Sequence, residues 1–385
     1  MEVTPFEIFI PEAVMEDLRD RLARTRWPDE IPGSDWAYGS NLAYVKELTQ
    51  YWRTEFDWRK QEAFLNTFDH FRTTVEGLGI HFIHAKGKGP NPLPLVITHG
   101  WPSTFYEMVK VIPRLTDPAT YGGDPADSFD VVVPSMPGYG FSDAAQEPGM
   151  SPARVADLWA KLMTENLGYD RFVAQGGDWG AGVTARLGYA YPERVAGIHV
   201  TAVSGAAMTP DLGEGSRPLT DRERALIEER AQWREAEGGY SHIQGTKPQT
   251  LSYGLNDSPT GLAAWIVEKF RTWSDCEGDV ESRFTKDELL TNITLYWATN
   301  TIGSSVRIYY ESQHNPWAFG PGERITAPTA VALFPVDLSH PPREWAERSY
   351  NVQRWTTMPR GGHFAAMEEP DLLVGDMREF FRTVR

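Results

Sequence analysis

Apolar residues in the first ninety positions recur at helical spacing. After Pro11, Val14, Leu18 and Leu22 fall on one face of an amphipathic helix that Arg26-Trp27-Pro28 brings to an end. Leu42, Val45, Leu48, Thr49 and Trp52 mark a second such face. Residues 1–90 therefore read as a helical leader. Its Trp, Tyr and Phe content needs a partner surface, so the leader is expected to wrap the domain that follows and not to fold alone.

From residue 91 the period changes. Leu93–Thr98, Phe129–Pro134, residues 171–175, Val195–Val200, Thr329–Phe334 and Val352–Met358 are short, almost continuous apolar runs. A helical pattern from Val155 to Leu167 separates two of them. Such runs alternating with helices predict a mainly parallel sheet covered on both faces, an α/β architecture. Residues 206–322 interrupt the alternation. Thr220-Asp221-Arg222-Glu223 opens a helix that stops at Gly238-Gly239, Ser258-Pro259 opens another, and Thr285-Lys286-Asp287-Glu288 opens a long one running toward Tyr309. The expected organisation is a leader (1–90), a core in two parts (91–205 and 323–385) and an inserted helical lid (206–322).

The turn after the 171–175 strand carries the strongest chemical signal. Gly176-Gly177-Asp178-Trp179-Gly180 has small residues two positions either side of Asp178 and precedes a helical stretch. Strand, sharp turn and helix are the context of a nucleophile elbow, here with Asp where Ser is usual. A carboxylate can attack sp3 carbon bearing a strained or good leaving group and form an ester, which points to epoxides or alkyl halides. Asp337 follows a buried strand, and His363 lies in a Gly-rich turn after the last one. The order nucleophile, acid, histidine is that of α/β hydrolases. His363 would deprotonate a water that hydrolyses the ester, oriented by Asp337. The backbone N–H groups of Trp101 and Trp179 would form the oxyanion hole for that second step and not for the first. Taken singly, Asp337 reads equally well as a strand-end turn residue, His363 as a packed loop histidine and His99-Gly100-Trp101-Pro102 as a tight turn.

These motifs resemble the microsomal-type epoxide hydrolase family. The similarity rests on His99-Gly100-Trp101-Pro102 with Tyr106-Glu107, the Asp178 elbow, Arg360-Gly361-Gly362-His363-Phe364 and leader segments such as Thr25-Arg26-Trp27-Pro28, Asp57-Trp58-Arg59 and Ile80–His84. It spans essentially the whole chain. It implies an α/β-hydrolase fold with a helical cap, no cofactor, and conversion of an organic, bulky hydrophobic or aromatic epoxide plus water to a vicinal diol. It also implies two cap tyrosines that bind and protonate the epoxide oxygen, which map to Tyr240 and Tyr309. Trp101 and Trp179 are expected beside them at the substrate. Tyr310 is an alternative to Tyr309, and Tyr253 is a further lid aromatic whose role reads as packing. Two features depart from the family pattern: animal members carry an N-terminal anchor that this chain lacks, and many members have Glu at the position of Asp337. A haloalkane dehalogenase, and a non-catalytic binder of hydrophobic ligands, are the competing readings.

Composition narrows the partners. A net charge of −16 argues against nucleic acid and anionic membrane. No apolar run approaches the roughly 20 residues of a membrane span, and no signal peptide is evident. Cys276 is the only cysteine, compatible with a reducing, cytoplasmic setting. His81 and His84 lie three apart in an expected strand and so point to opposite faces, which disfavours a metal site. A homodimer is compatible with the sequence.

Overall fold

In the computed structural model, which describes residues 2–204, 208–210, 217–320 and 322–385, nine strands form one sheet. They are β1 (Thr4–Phe6), β2 (His70–Val75), β3 (Leu78–Ala85), β4 (Leu93–Thr98), β5 (Phe129–Pro134), β6 (Phe172–Gly176), β7 (Val195–Val200), β8 (Pro328–Leu333) and β9 (Asn351–Thr357), in the spatial order β1-β2-β3-β5-β4-β6-β7-β8-β9. The run from β5 to β9 is parallel, and β5 and β7 are buried at every position, which explains their continuous apolar sequences. Strand order reverses at β4, which lies between β5 and β6. Loops leaving β4 and β6 in opposite directions open a crevice at their carboxyl ends, where sites in open α/β sheets form.

The leader contains its expected helices, Glu12–Ala23 and Leu42–Thr54, with Leu18, Leu22, Val45, Leu48, Thr49 and Trp52 buried. It also supplies three strands, which a purely helical reading does not include. β1, β2 and β3 pair antiparallel with one another, and β3 joins β5, so the leader extends the core sheet. Glu76 and Gly77 both take positive φ, 49° and 83°, and close the two-residue turn between β2 and β3. The leader reaches the cap as well. Trp52 Nε1 donates to Thr294 Oγ1 (3.0 Å), Ser40 Oγ to Ala264 O (2.7 Å) and Arg21 to Asp257 (2.7 Å). His81 and His84 do face opposite ways: His81 bonds His70 and Ser135 in the core, and His84 bonds Tyr169.

Between β7 and β8 the chain forms the cap helices Asp221–Glu237, Gly239–Thr246, Pro248–Asp257, Pro259–Trp273, Lys286–Thr299, Ile302–Ser305 and Arg307–His314. Both expected capping boxes are present, at Thr220 with Glu223 and at Thr285 with Glu288. The expected long helix to Tyr309 is broken. Asn300 adopts a left-handed conformation (φ 57°) and ends it, so Tyr309 belongs to a separate short helix. Likewise the helix from Pro152 passes at Lys161 into a π-helical turn over Leu162–Asn166. The expected core–cap boundary at 205/206 lies outside the described residues. No helix among the described residues is long and apolar enough to cross a membrane.

Candidate active site

Asp178 is the first residue of the helix Asp178–Ala190 and has φ 46°, a conformation that a non-glycine residue adopts only under constraint. The constraint is close backbone approach. A Cβ on Gly176 would sit 2.2 Å from Gly180 O, and one on Gly180 would sit 2.0 Å from Thr98 O. Glycine at both positions lets β6, its helix and the end of β4 pack tightly enough to push Asp178 out at the turn.

The oxygens of Asp178 are differentiated. Trp101 N–H donates to Oδ1 at 2.8 Å, and the Trp179 amide also bonds the carboxylate. His363 Nε2 lies 3.6 Å from Oδ2. Both amides thus hold the carboxylate before any reaction. Burial raises the pKa of Asp178, while His363 and the two amides favour its charged form.

His363 Nδ1 donates to Asp337 Oδ1 at 2.6 Å, with both side chains almost fully buried. Burial alone would lower the imidazole pKa. The charge and hydrogen bond of Asp337, aided by Asp178 and Glu107, outweigh it and push it up to about 9. At neutral pH that shift favours the protonated ring.

Tyr240 and Tyr309 are 8% and 5% exposed, with ring centroids 5.8 Å apart at 82°. Both line a cavity of about 580 Å³ together with Asp178, Trp179, Asp337 and His363. Burial and the charge of Asp178 push the Tyr240 phenol well up, and burial does the same for Tyr309, so both keep their protons as donors. The Tyr310 ring stacks on His314 at 3.8 Å and does not line the cavity. Tyr253 is 74% exposed and neither packs nor lines the site. Trp179 lines the cavity, but the Trp101 side chain does not. It is fully buried under Tyr240, with rings stacked at 5.6 Å, so only its backbone reaches the site.

Three further groups brace this arrangement, and of these Glu368 does not stand out in the sequence. Glu368 accepts from the backbone N–H groups of Gly362, Phe364 and Asp275 at 3.0, 3.0 and 2.8 Å, and so clamps the His363 turn to the cap. Ser103 Oγ donates to Glu107, tying down the loop that carries the Trp101 amide. Burial raises both carboxyls to about 7. His99 is a satisfied core histidine. Its Nδ1 donates to Gly100 O, its Nε2 accepts from Met136 N–H, and burial lowers its pKa to about 4.

Comparison with known proteins identifies the chain's relatives. Residues 3–108 match the family model "Epoxide hydrolase N terminus", and residues 94–224 match "alpha/beta hydrolase fold". The chain is 40% identical over 402 residues to Epoxide hydrolase 1 of Oryctolagus cuniculus, covering 98% of this chain and 88% of that protein. Among solved structures, the juvenile hormone epoxide hydrolase of Bombyx mori superposes with a TM-score of 0.87 at 30% identity, covering 100% of this chain and 95% of the other. The Aspergillus niger epoxide hydrolase gives 0.86 at 27% identity, covering 100% and 97%.

Proposed function

The chain belongs to the microsomal-type epoxide hydrolase family of the α/β-hydrolase superfamily and is an epoxide-hydrolysing enzyme, and from that premise we propose how its site works. Asp178 attacks a ring carbon through Oδ2, the oxygen not held by the Trp101 amide. The breaking C–O bond leaves an alkoxide that takes a proton from Tyr240 or Tyr309. Oδ1 becomes the ester carbonyl oxygen, already seated on the Trp101 amide, with the Trp179 amide as the second donor of the oxyanion hole. The observation that carries this reading is that division of labour between the two oxygens of one carboxylate.

Ester formation removes the charge of Asp178. His363 then loses one of the groups that keep it protonated, and its proton returns to the tyrosinate. Neutral His363 takes a proton from water as the hydroxide adds to the Asp178 carbonyl carbon. The oxyanion on Oδ1 is stabilised by the two amides. Collapse expels the diol alkoxide, which takes the proton from His363, and the Asp178 carboxyl passes its own proton back to His363. Epoxide and water are consumed, and the diol is the only product.

The cavity walls, which include Trp179, Val203, Met208, Trp317, Phe319 and Leu338, support a bulky hydrophobic or aromatic epoxide. The cap, read as residues 206–322, supplies both tyrosines. The single, buried Cys276 supports a reducing setting. In the test, His363→Gln is incubated with styrene oxide. The peptide containing Asp178 should gain the mass of the epoxide and keep it. A variant that binds the epoxide without acquiring an adduct would overturn the mechanism.

A further inference from the structure

Arg230 lines the same cavity as Asp178, and the triad does not use it. It lies on the helix Asp221–Glu237 in step with Glu223, Leu226, Trp233 and Glu237, the positions of that helix that are turned from solvent. Its guanidinium donates to Met208 O at 2.8 Å and touches Met208 Sδ at 3.9 Å. It makes no ion pair with any described residue. The acid on the same helix face, Glu223, is already taken by Arg217 at 2.7 and 2.9 Å and by Trp345 Nε1 at 2.8 Å. Burial and the neighbouring Arg234 act on Arg230, with no carboxylate, Asp178 and Asp337 included, to offset them.

A half-buried guanidinium keeps its charge and offers five N–H donors in a fixed fork. Among the described residues one strong acceptor serves them, in a protein with 53 acidic residues against 37 basic ones. Ser312 lines the same cavity, and its buried Oγ has no hydrogen-bond partner among the described residues. The two call for an acceptor that no described residue provides. The rest of the lining is largely apolar and aromatic, and outside the triad Arg230 is the one charged lining residue among those described.

We propose that Arg230 is a specificity determinant that binds a carboxylate on the epoxide substrate, so that the preferred substrate has an epoxide, an apolar or aromatic body and a carboxylate. Arg–carboxylate contact is bidentate and charge-assisted, which suits the fork geometry. A monoanion fits better than a dianion, because one guanidinium faces a cavity that already holds Asp178 and Asp337. The proposal rests on the epoxide hydrolase reading of this cavity and adds the class of substrate that it selects.

The test compares 4-oxiranylbenzoate with its methyl ester, two epoxides that differ in that charge. The readout is the ratio of their kcat/KM values in the native enzyme, in Arg230→Gln and in Arg230→Lys. The native enzyme should favour the carboxylate, and Arg230→Gln should lower the ratio about 10- to 100-fold, the discrimination expected of a charge-assisted hydrogen bond. Arg230→Lys should restore part of it, because the charge returns without the fork. A native enzyme with no preference, or a preference that survives in Arg230→Gln, overturns the proposal. Inhibition of the native enzyme provides a check that needs no folded variant: 4-(1,2-dihydroxyethyl)benzoate should inhibit more strongly than its carboxamide, and equal inhibition counts against the proposal. Diol from the ester without carboxylate preference refutes this inference alone, whereas no diol from either epoxide refutes the reading on which it rests.

Discussion

Replacing Asp337 with Asn should separate the two halves of the reaction. Asp337 supplies the two largest influences that favour the His363 imidazolium, its charge and a 2.6 Å hydrogen bond. Together with Asp178 and Glu107 they lift the imidazole from the ordinary 6.5 to about 9. At about 1.36 kcal/mol per pH unit, that lift corresponds to about 3 kcal/mol in favour of the charged ring. An amide at 337 forfeits most of this and no longer selects the tautomer with hydrogen on Nδ1. Water attack builds charge on the ring, so ester hydrolysis should slow by about 10²- to 10⁴-fold, the upper figure including the misplaced tautomer. In the proposed mechanism ring opening uses Asp178, Tyr240 and Tyr309, none of which touches Asp337, and should change by less than about tenfold. Alkyl-enzyme should therefore accumulate in Asp337→Asn during turnover. Rapid-quench measurement of the first turnover, with intact-protein mass spectrometry of the same samples, reads both steps. If alkylation slowed as much as turnover, with no adduct mass, the pair would not be serving the second step.

Tyr240→Phe and Tyr309→Phe should each slow single-turnover ring opening by about 10- to 100-fold, the cost of losing one donor to a developing alkoxide, and the double variant should leave it barely measurable. Unimpaired ring opening in the double variant would remove both phenols from the mechanism. Gly180→Ala places a Cβ 2.0 Å from Thr98 O and should destabilise the fold by about 3 kcal/mol or more in urea unfolding. Gly182→Ala, in the same helix, meets only Pro152 Cβ at 3.6 Å and should raise stability by up to about 1 kcal/mol. The proton held by His363 gives a signed pH effect. The folded pKa lies above the unfolded one, so its contribution is fully present below 6.5 and is lost as pH rises through about 9. Native protein should lose about 3 kcal/mol more than His363→Gln between these limits in urea titrations, and parallel curves would contradict the raised pKa.

The parts of this site that can be read from the chain are those whose geometry is built within a few residues. Gly176 and Gly180 flank Asp178 because backbone must pass at the distance of a missing Cβ, a requirement that leaves a short fixed spacing in the sequence. Strands β4, β5 and β7 match their apolar runs, since burial on both faces leaves no choice of residue type. The leader strands leave a weaker pattern in the sequence. β2 carries Arg72 and Thr74 on a side that is only partly covered, although the Glu76-Gly77 turn marks the hairpin locally. The kink at Asn300 decides that Tyr309, and not Tyr310, faces Asp178, and helical periodicity alone runs straight through it. The charged groups are the least legible. Arg230 sits in a helix dense with Arg and Glu, and Glu368 in a chain end that looks equally solvated. What distinguishes them is which neighbour removes their water: a carboxyl is raised to about 7 at 368 only because the His363 turn and the cap close over it. Desolvation arises between distant segments and leaves no periodic trace in the sequence. The nucleophile can therefore be found by spacing, whereas the groups that tune His363 and select the substrate emerge only when the cap is seated on the sheet.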